Sequence, residues 1–168
     1  QSGCACIACS RAAADAALRR TPVSLGVTLV DGRRLLVEAT KALSEQLWRW
    51  AQAEGEPGPM VPDAVALTHL HLGHVQGLGE FGNEVMGRRA MPLLASDGVV
   101  EELQHRRLLA PFEAVGCEAV EGVRFVQVPH RDEHGDTHAL LFEGAPKRLL
   151  FLPDHDTWSQ TLALHMAE

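Results

Sequence analysis

The chain has 168 residues, of which 46% are apolar and 22% charged, so it can bury a core and is not a disordered polyelectrolyte. Acidic side chains outnumber basic ones 22 to 15, for a formal charge of −7. That balance argues against a general binder of phosphate backbones, which needs a cationic stripe. No apolar run approaches the ~20 residues of a membrane span, and no basic-then-apolar leader opens the chain. The expectation is one small acidic domain over residues 1–168, cytoplasmic, with neither nucleic-acid nor membrane partners.

In chain order, residues 1–9 read as a loop, and Ser10 as the N-cap of an Ala/Arg-rich helix that runs to about Arg20 before Pro22 stops it. Residues 23–30 and 34–38 are β-type runs joined at Asp31-Gly32, the signal for a type I′ hairpin. Leu43, Leu47, Trp50 and Ala51 then recur at helical spacing, so 41–53 is expected to be an amphipathic helix. After the Gly55–Pro59 loop, 64–68 reads as a short buried strand running into His69, and 73–81 as a turn entering a helix. A strand at 91–95 and a helix at 97–105 capped by Asp97 follow. Strands at 123–128, 138–142 and 148–152 close the pattern, and the whole reads as a layered α/β domain. Trp48 and Trp50 read as packing or surface groups.

The chemistry concentrates in Thr68-His69-Leu70-His71-Leu72-Gly73-His74. Side chains two apart on an extended segment point the same way, so His69 and His71 converge, and a turn at Gly73 returns His74 to the same pocket. Neutral imidazole suits zinc and related borderline metals. The plainer alternative is three neighbouring histidines with no ion, which the spacing at a strand end makes the weaker reading. His130 follows a predicted strand, where a third converging imidazole would enter. Asp132, His134 and Asp136 are either outer groups orienting a ligand or a solvated loop, the second reading being favoured. Asp154 ends an apolar strand, where a carboxylate is awkward unless it meets a cation, and His155 is a further candidate ligand.

Three of the four cysteines, Cys4, Cys6 and Cys9, lie within six positions. They cannot pair evenly as disulfides, and clustered thiols in a cysteine-poor chain point to metal binding in a reducing compartment. Three thiolates and one further, unassigned ligand make a structural zinc, whereas an iron–sulfur cluster normally takes four cysteines. Cys117 reads as a lone buried thiol.

The run from Thr68 to His74, followed by Gly77-Leu78, resembles the His-x-His-x-Asp-His signature of the metallo-β-lactamase superfamily. The resemblance implies an αβ/βα sandwich with metals at one edge between two sheets. By position it implies His69, His71 and His130 at a first metal site, His74 at a second, and Asp154 shared by both. Cys4-x-Cys6-x-x-Cys9 is similar to the subgroup containing coenzyme PQQ synthesis protein B and the cyclic phosphodiesterase of phosphonate breakdown, where such a cluster holds a structural zinc. The phrases Val128-Pro129-His130-Arg131-Asp132-Glu133 and Leu150-Phe151-Leu152-Pro153-Asp154 strengthen that likeness.

Two departures matter. Gly73 occupies the signature's Asp position, so the second site is expected to be weak or empty. PQQ-synthesis-type proteins tend to show the reverse, keeping that Asp-His while losing the earlier histidine pair, so their proposed iron-dependent hydroxylase role does not transfer cleanly. Against the family the chain also reads as truncated or unusually short, with His165 a weak candidate for the last histidine.

Three functions follow as expectations. The first is a metal-dependent hydrolase acting on an ester or phosphodiester in a small-molecule or peptide-derived substrate, with Asp154 orienting water and accepting its proton. The second is an iron-dependent oxidoreductase of cofactor assembly, suggested by the subgroup resemblance alone. The third is a non-catalytic binding module held together by metal. Zinc, iron and manganese all remain open at the histidines, and a homodimer is compatible with the resemblance.

Overall fold

The structure, a computed structural model, describes residues 3–131, 136–144 and 146–167, apart from the side chains of residues 161 and 165–167. Its strands are β1 (Leu25–Thr28), β2 (Arg34–Val37), β3 (Ala64–Ala66), β4 (Met91–Leu94), β5 (Phe112–Val115), β6 (Val123–Gln127), β7 (His138–Phe142) and β8 (Leu149–Phe151). Its helices are α1 (Ile7–Ala14), α2 (Leu43–Glu54), α3 (Leu72–Val75), α4 (Asp97–His105) and α5 (Gln160–Ala167).

Strands β1 to β5 form one sheet in sequence order, with β1 antiparallel to β2 and the other pairs parallel. The remaining three form an antiparallel sheet in the order β6-β7-β8. Period-two alternation decides how the sheets stack. Leu35, Val37, Ala66 and Leu94 face inward, where they meet Val123, Leu140 and Phe142 of the second sheet. Their neighbours Leu36, Val65 and Leu93 point outward and are covered by Leu43, Leu47 and Ala51 of α2 and Val99 and Leu103 of α4. On the far side Val126, Ala139 and Leu141 are covered by Leu162 of α5. The result is the αβ/βα sandwich. Among the described residues, no helix is long and apolar enough to cross a membrane.

Several local expectations change. The β1–β2 loop closes through Leu29 N–H to Arg33 O at 2.8 Å, leaving Val30, Asp31 and Gly32 in the turn. Gly32 has φ +84° and Asp31 does not have positive φ, so this is a three-residue loop with a glycine bulge rather than a type I′ turn. The first helix begins earlier than Ser10, at Ile7, buries no side chain, and breaks at Asp15 into a 3-10 turn, Ala16–Leu18. Ser96, not Asp97, caps α4, its hydroxyl accepting from Val99 N–H. The expected helix at 73–81 divides into α3 and a 3-10 turn, Leu78–Phe81. Strand β5 and helix α5 add to the expected elements: β5 is largely exposed at a sheet edge, and the apolar spacing of α5 is weak, so neither has a clear sequence signal.

Helix α2 ends where Gly55 takes φ +74° and its N–H caps Ala51 O. Trp50 packs across β1, and a Cβ at Gly26 would run into its indole ring, so glycine there is a packing requirement. Trp48 is 44% exposed.

Candidate metal centre

The first three histidines are placed locally. Beyond β3 the chain stays extended through His71 (φ −59°, ψ 139°), so Leu70 enters the core while His69 and His71 share the other side. Helix α3 then turns His74 back toward them. Two backbone bonds anchor this turn to the residues after β2: Ala39 N–H donates to His74 O at 2.9 Å, and Gly77 N–H to Ala39 O at 2.8 Å. A Cβ at Gly77 would overlap the Thr40 carbonyl, so only glycine permits this approach.

The second sheet supplies the other groups. Val128 N–H donates to Thr137 O at 2.9 Å, extending the β6–β7 ladder until Pro129 and His130 leave it. Asp154 lies three residues after β8, in a loop tied to the first by Asp156 N–H donating to Pro129 O at 2.8 Å.

These side chains converge. His69 Nε2 lies 3.0 Å from His71 Nδ1, which is 3.3 Å from His130 Nε2. Asp154 Oδ2 is 3.3 Å from His69 Nε2 and 3.0 Å from His74 Nε2. Ligand atoms at ~2.0–2.1 Å from a tetrahedral zinc are separated by about 3.3 Å along each edge. The measured spacings match that edge, and at most one nitrogen of each facing imidazole pair can carry the intervening proton. His69, His71, His130 and Asp154 therefore fit a divalent ion. His69 is fully buried, whereas the Asp154 side chain is 36% exposed, so the cluster opens toward solvent on the carboxylate side.

Glu38, Thr68 and Asp156 stand behind the cluster without having been singled out in the sequence. Glu38 follows β2 and is completely buried. It accepts a short hydrogen bond from Thr68 Oγ1 and a 3.3 Å one from Thr68 N–H, and its Oε1 lies 3.5 Å from His74 Nδ1. Burial raises its carboxyl above the ordinary value, against the opposing pull of His74 and Thr68. For His74, burial favours the neutral ring, but Glu38 and Asp154 together outweigh it and raise the pKa. Asp156 Oδ1 is 3.6 Å from His130 Nδ1 and 3.2 Å from Arg131 Nε. The signal for Glu38 was available: like Asp154, it is a carboxylate ending an apolar strand.

Other candidates lie elsewhere. His155 does not join the cluster and instead meets Trp158 edge-on, ring centroids 4.9 Å apart. Asp136 is not an outer group of the centre: it accepts from Ser96 Oγ and lies 3.5 Å from His138 Nδ1. Asp132 and His134, and the side chain of His165, fall outside the described residues.

The sulfur atoms of Cys4, Cys6 and Cys9 come together near the start of α1, and no fourth protein donor joins them among the described residues. The backbone N–H of Cys9 and the thiols of Cys4 and Cys9 favour the Cys6 thiolate, bringing its pKa down to about 7, while Cys9 is raised. Cys117, partly rather than fully buried, is pushed up to about 11 by burial and nearby carboxylates.

A family model described as beta-lactamase superfamily domain matches residues 33–168, most of the chain. The chain belongs to the beta-lactamase superfamily. Among solved structures it is similar to zinc-bound PqqB from Methylobacterium extorquens, at 24% identity and TM-score 0.76, over 98% of this chain and 64% of that one. A diphosphatase from the PhnP family is 26% identical with TM-score 0.59, over 84% of this chain and 56% of that one. The metallo-beta-lactamase fold protein YhfI from Bacillus subtilis is 18% identical with TM-score 0.57, over 79% and 54% respectively. The chain thus spans 54 to 64% of the length of these relatives. No curated protein matches it. Within this beta-lactamase superfamily member, the histidine cluster lies where β3 and β6 run out at one edge of the sandwich, and Gly73 stands where the family signature carries Asp.

Proposed function

We propose that the protein is a metal-dependent hydrolase acting on an ester or phosphodiester bond of a small-molecule or peptide-derived substrate. The observation that carries this reading is the convergence of His69 Nε2, His71 Nδ1 and His130 Nε2 beside Asp154 Oδ2. A divalent metal held there supplies Lewis acidity and brings the pKa of water toward ~7.

The chain's own groups do the rest. His69, His71 and His130 would hold the ion with neutral nitrogens. Asp154 orients the attacking water and accepts its proton through the solvent-facing part of its carboxylate, while His74 fixes Oδ2 from behind at 3.0 Å. His74 and Asp154 would be the remaining donors of a second ion, and Gly73 contributes none, so that site is weak. Cys4, Cys6 and Cys9 would hold a separate structural zinc at the surface.

The test is elemental analysis of the full chain purified without added metal, followed by assays with nitrophenyl esters and phosphodiesters. Hydrolysis that disappears in His69→Ala and His71→Ala supports the proposal. Stoichiometric iron without hydrolysis would overturn it in favour of redox chemistry. Histidine variants that lower only the melting temperature would leave a metal-stabilised binding module.

A further inference from the structure

Behind the metal-facing histidines, the chain places a carboxylate under costly conditions. Glu38 has none of its side chain exposed, its Oε2 has no hydrogen-bond partner among the described residues, and its backbone takes φ +67°, unusual for a residue with a Cβ. The strained backbone is held in place. Glu38 N–H donates to Ala66 O at 2.9 Å, and Ser24 Oγ donates to Glu38 O at 3.0 Å. Neither packing nor solubility calls for a carboxylate there.

Its surroundings define what it does. Thr68 Oγ1 has one proton, and that proton goes to Glu38 Oε1. The same oxygen lies 2.9 Å from His69 Nδ1, so toward that ring it can only accept, and His69 must carry its proton on Nδ1. His69 Nε2 is then bare and faces the cluster. On the other side of the carboxylate, His74 Nδ1 faces Glu38 Oε1 at 3.5 Å while its Nε2 faces Asp154 Oδ2 at 3.0 Å, so both its nitrogens meet carboxylates and Glu38 alone imposes no tautomer on it. Glu38, His69 and His74 together could also be taken for an interior ion site. Thr68 Oγ1 decides against that, because it already lies between the carboxylate and the His69 ring.

We infer that Glu38 and Thr68 are positioning residues: the buried carboxylate sets the tautomer of His69 through the Thr68 hydroxyl, so that this ring presents a bare Nε2 to the metal. The inference deepens the proposed metal centre and rests on it for its purpose, though not for its geometry. It also accounts for the choice of Thr at position 68, since valine would fill the same space without relaying the proton.

The test uses the full chain in two states. In metal-free protein, nitrogen-15 shifts of the imidazoles read the tautomers directly. His69 is expected as the Nδ1–H form in the wild type. Thr68→Val and Glu38→Gln should each move His69 away from that form, and Thr68→Ser should restore it. In the second state, competition with a chromophoric chelator gives the zinc affinity, expected to fall roughly 10- to 100-fold in Thr68→Val and to recover in Thr68→Ser. A purely structural Thr68 would alter melting temperature without changing the His69 tautomer. Unchanged His69 tautomer and zinc affinity in Thr68→Val overturn the inference, even if Glu38→Gln fails to fold. A His69 tautomer that responds as stated in a protein whose histidines bind no zinc would instead sink the metal-centre reading and leave the proton relay standing.

Discussion

The backbone N–H of His138 donates to the carbonyl oxygen of Thr68 at 3.0 Å. That bond ties the first residue of β7 to the residue before His69, and so joins the two sheets where the histidines meet. His130 and Asp154 arrive on loops from the second sheet, and His69, His71 and His74 follow β3 of the first. The centre is therefore a property of sheet-on-sheet packing as much as of the histidine run.

Single removal of a cluster histidine separates chemistry from folding. His71→Ala is expected to lower hydrolysis by at least ~100-fold and to lose metal from the histidine site. Its unfolding without metal should be little changed, because three converging nitrogens stabilise nothing until an ion is present. Metal content, initial rates and metal-free melting curves check all three points.

Gly73→Asp should add a metal ligand. Gly73 lies in α3 with ordinary helical backbone, and a Cβ there meets no atom within 4 Å, so the carboxylate has room beside His74 and Asp154. Replacing glycine within a helical turn also reduces the freedom of the unfolded chain, a gain of about 0.5 kcal/mol. Elemental analysis should rise by one ion per chain, with little change in melting temperature of the metal-free form.

Gly77→Ala should do the opposite of a surface substitution. Its Cβ would collide with the Thr40 carbonyl, which is backbone and cannot swing aside. The expected loss is about 1–3 kcal/mol of stability, with weaker metal binding because the turn carrying His74 shifts. Denaturant titration and zinc competition measure the two effects separately.

The cysteines should differ in their response to pH. Alkylation requires the thiolate, so it accelerates as pH rises through the pKa of each sulfur. With Cys6 at about 7 and Cys117 at about 11, metal-free protein at pH 8 should be labelled at Cys6 and spared at Cys117. Zinc should protect Cys6. Burial of Cys117 also carries a sign for stability: its folded pKa lies above that of an ordinary thiol, so its contribution is complete below about pH 9 and is lost as pH rises toward about 11. Mass spectrometry of digests and melting curves between pH 8 and 11 test both statements.

Local chemistry was legible wherever neighbours in sequence are also neighbours in space. The alternation of His69, Leu70 and His71 and the return of His74 depend on strand period and one turn, so the spacing alone predicted that these rings converge. The helical stripe of Leu43, Leu47 and Ala51 was readable for the same reason, and it covers the expected face. At the start of α4 the reading took Asp97 as the cap, and the structure puts it one residue earlier, at Ser96, because both residue types serve as caps.

Tertiary structure decided what must cross from one sheet to the other. His130 meets His71 across 59 positions of chain, and Glu38 meets Thr68 across 30. No periodicity encodes such pairs, because they exist only once the inward faces of the sheets have packed. The same holds for His155, which sequence proximity to Asp154 made a candidate ligand and which the loop after β8 turns onto Trp158. Side-chain type and spacing thus picked out the candidate ligands the chain carries, while burial and sheet packing decided which groups surround them, since desolvation and long-range contact arise only from the assembled core.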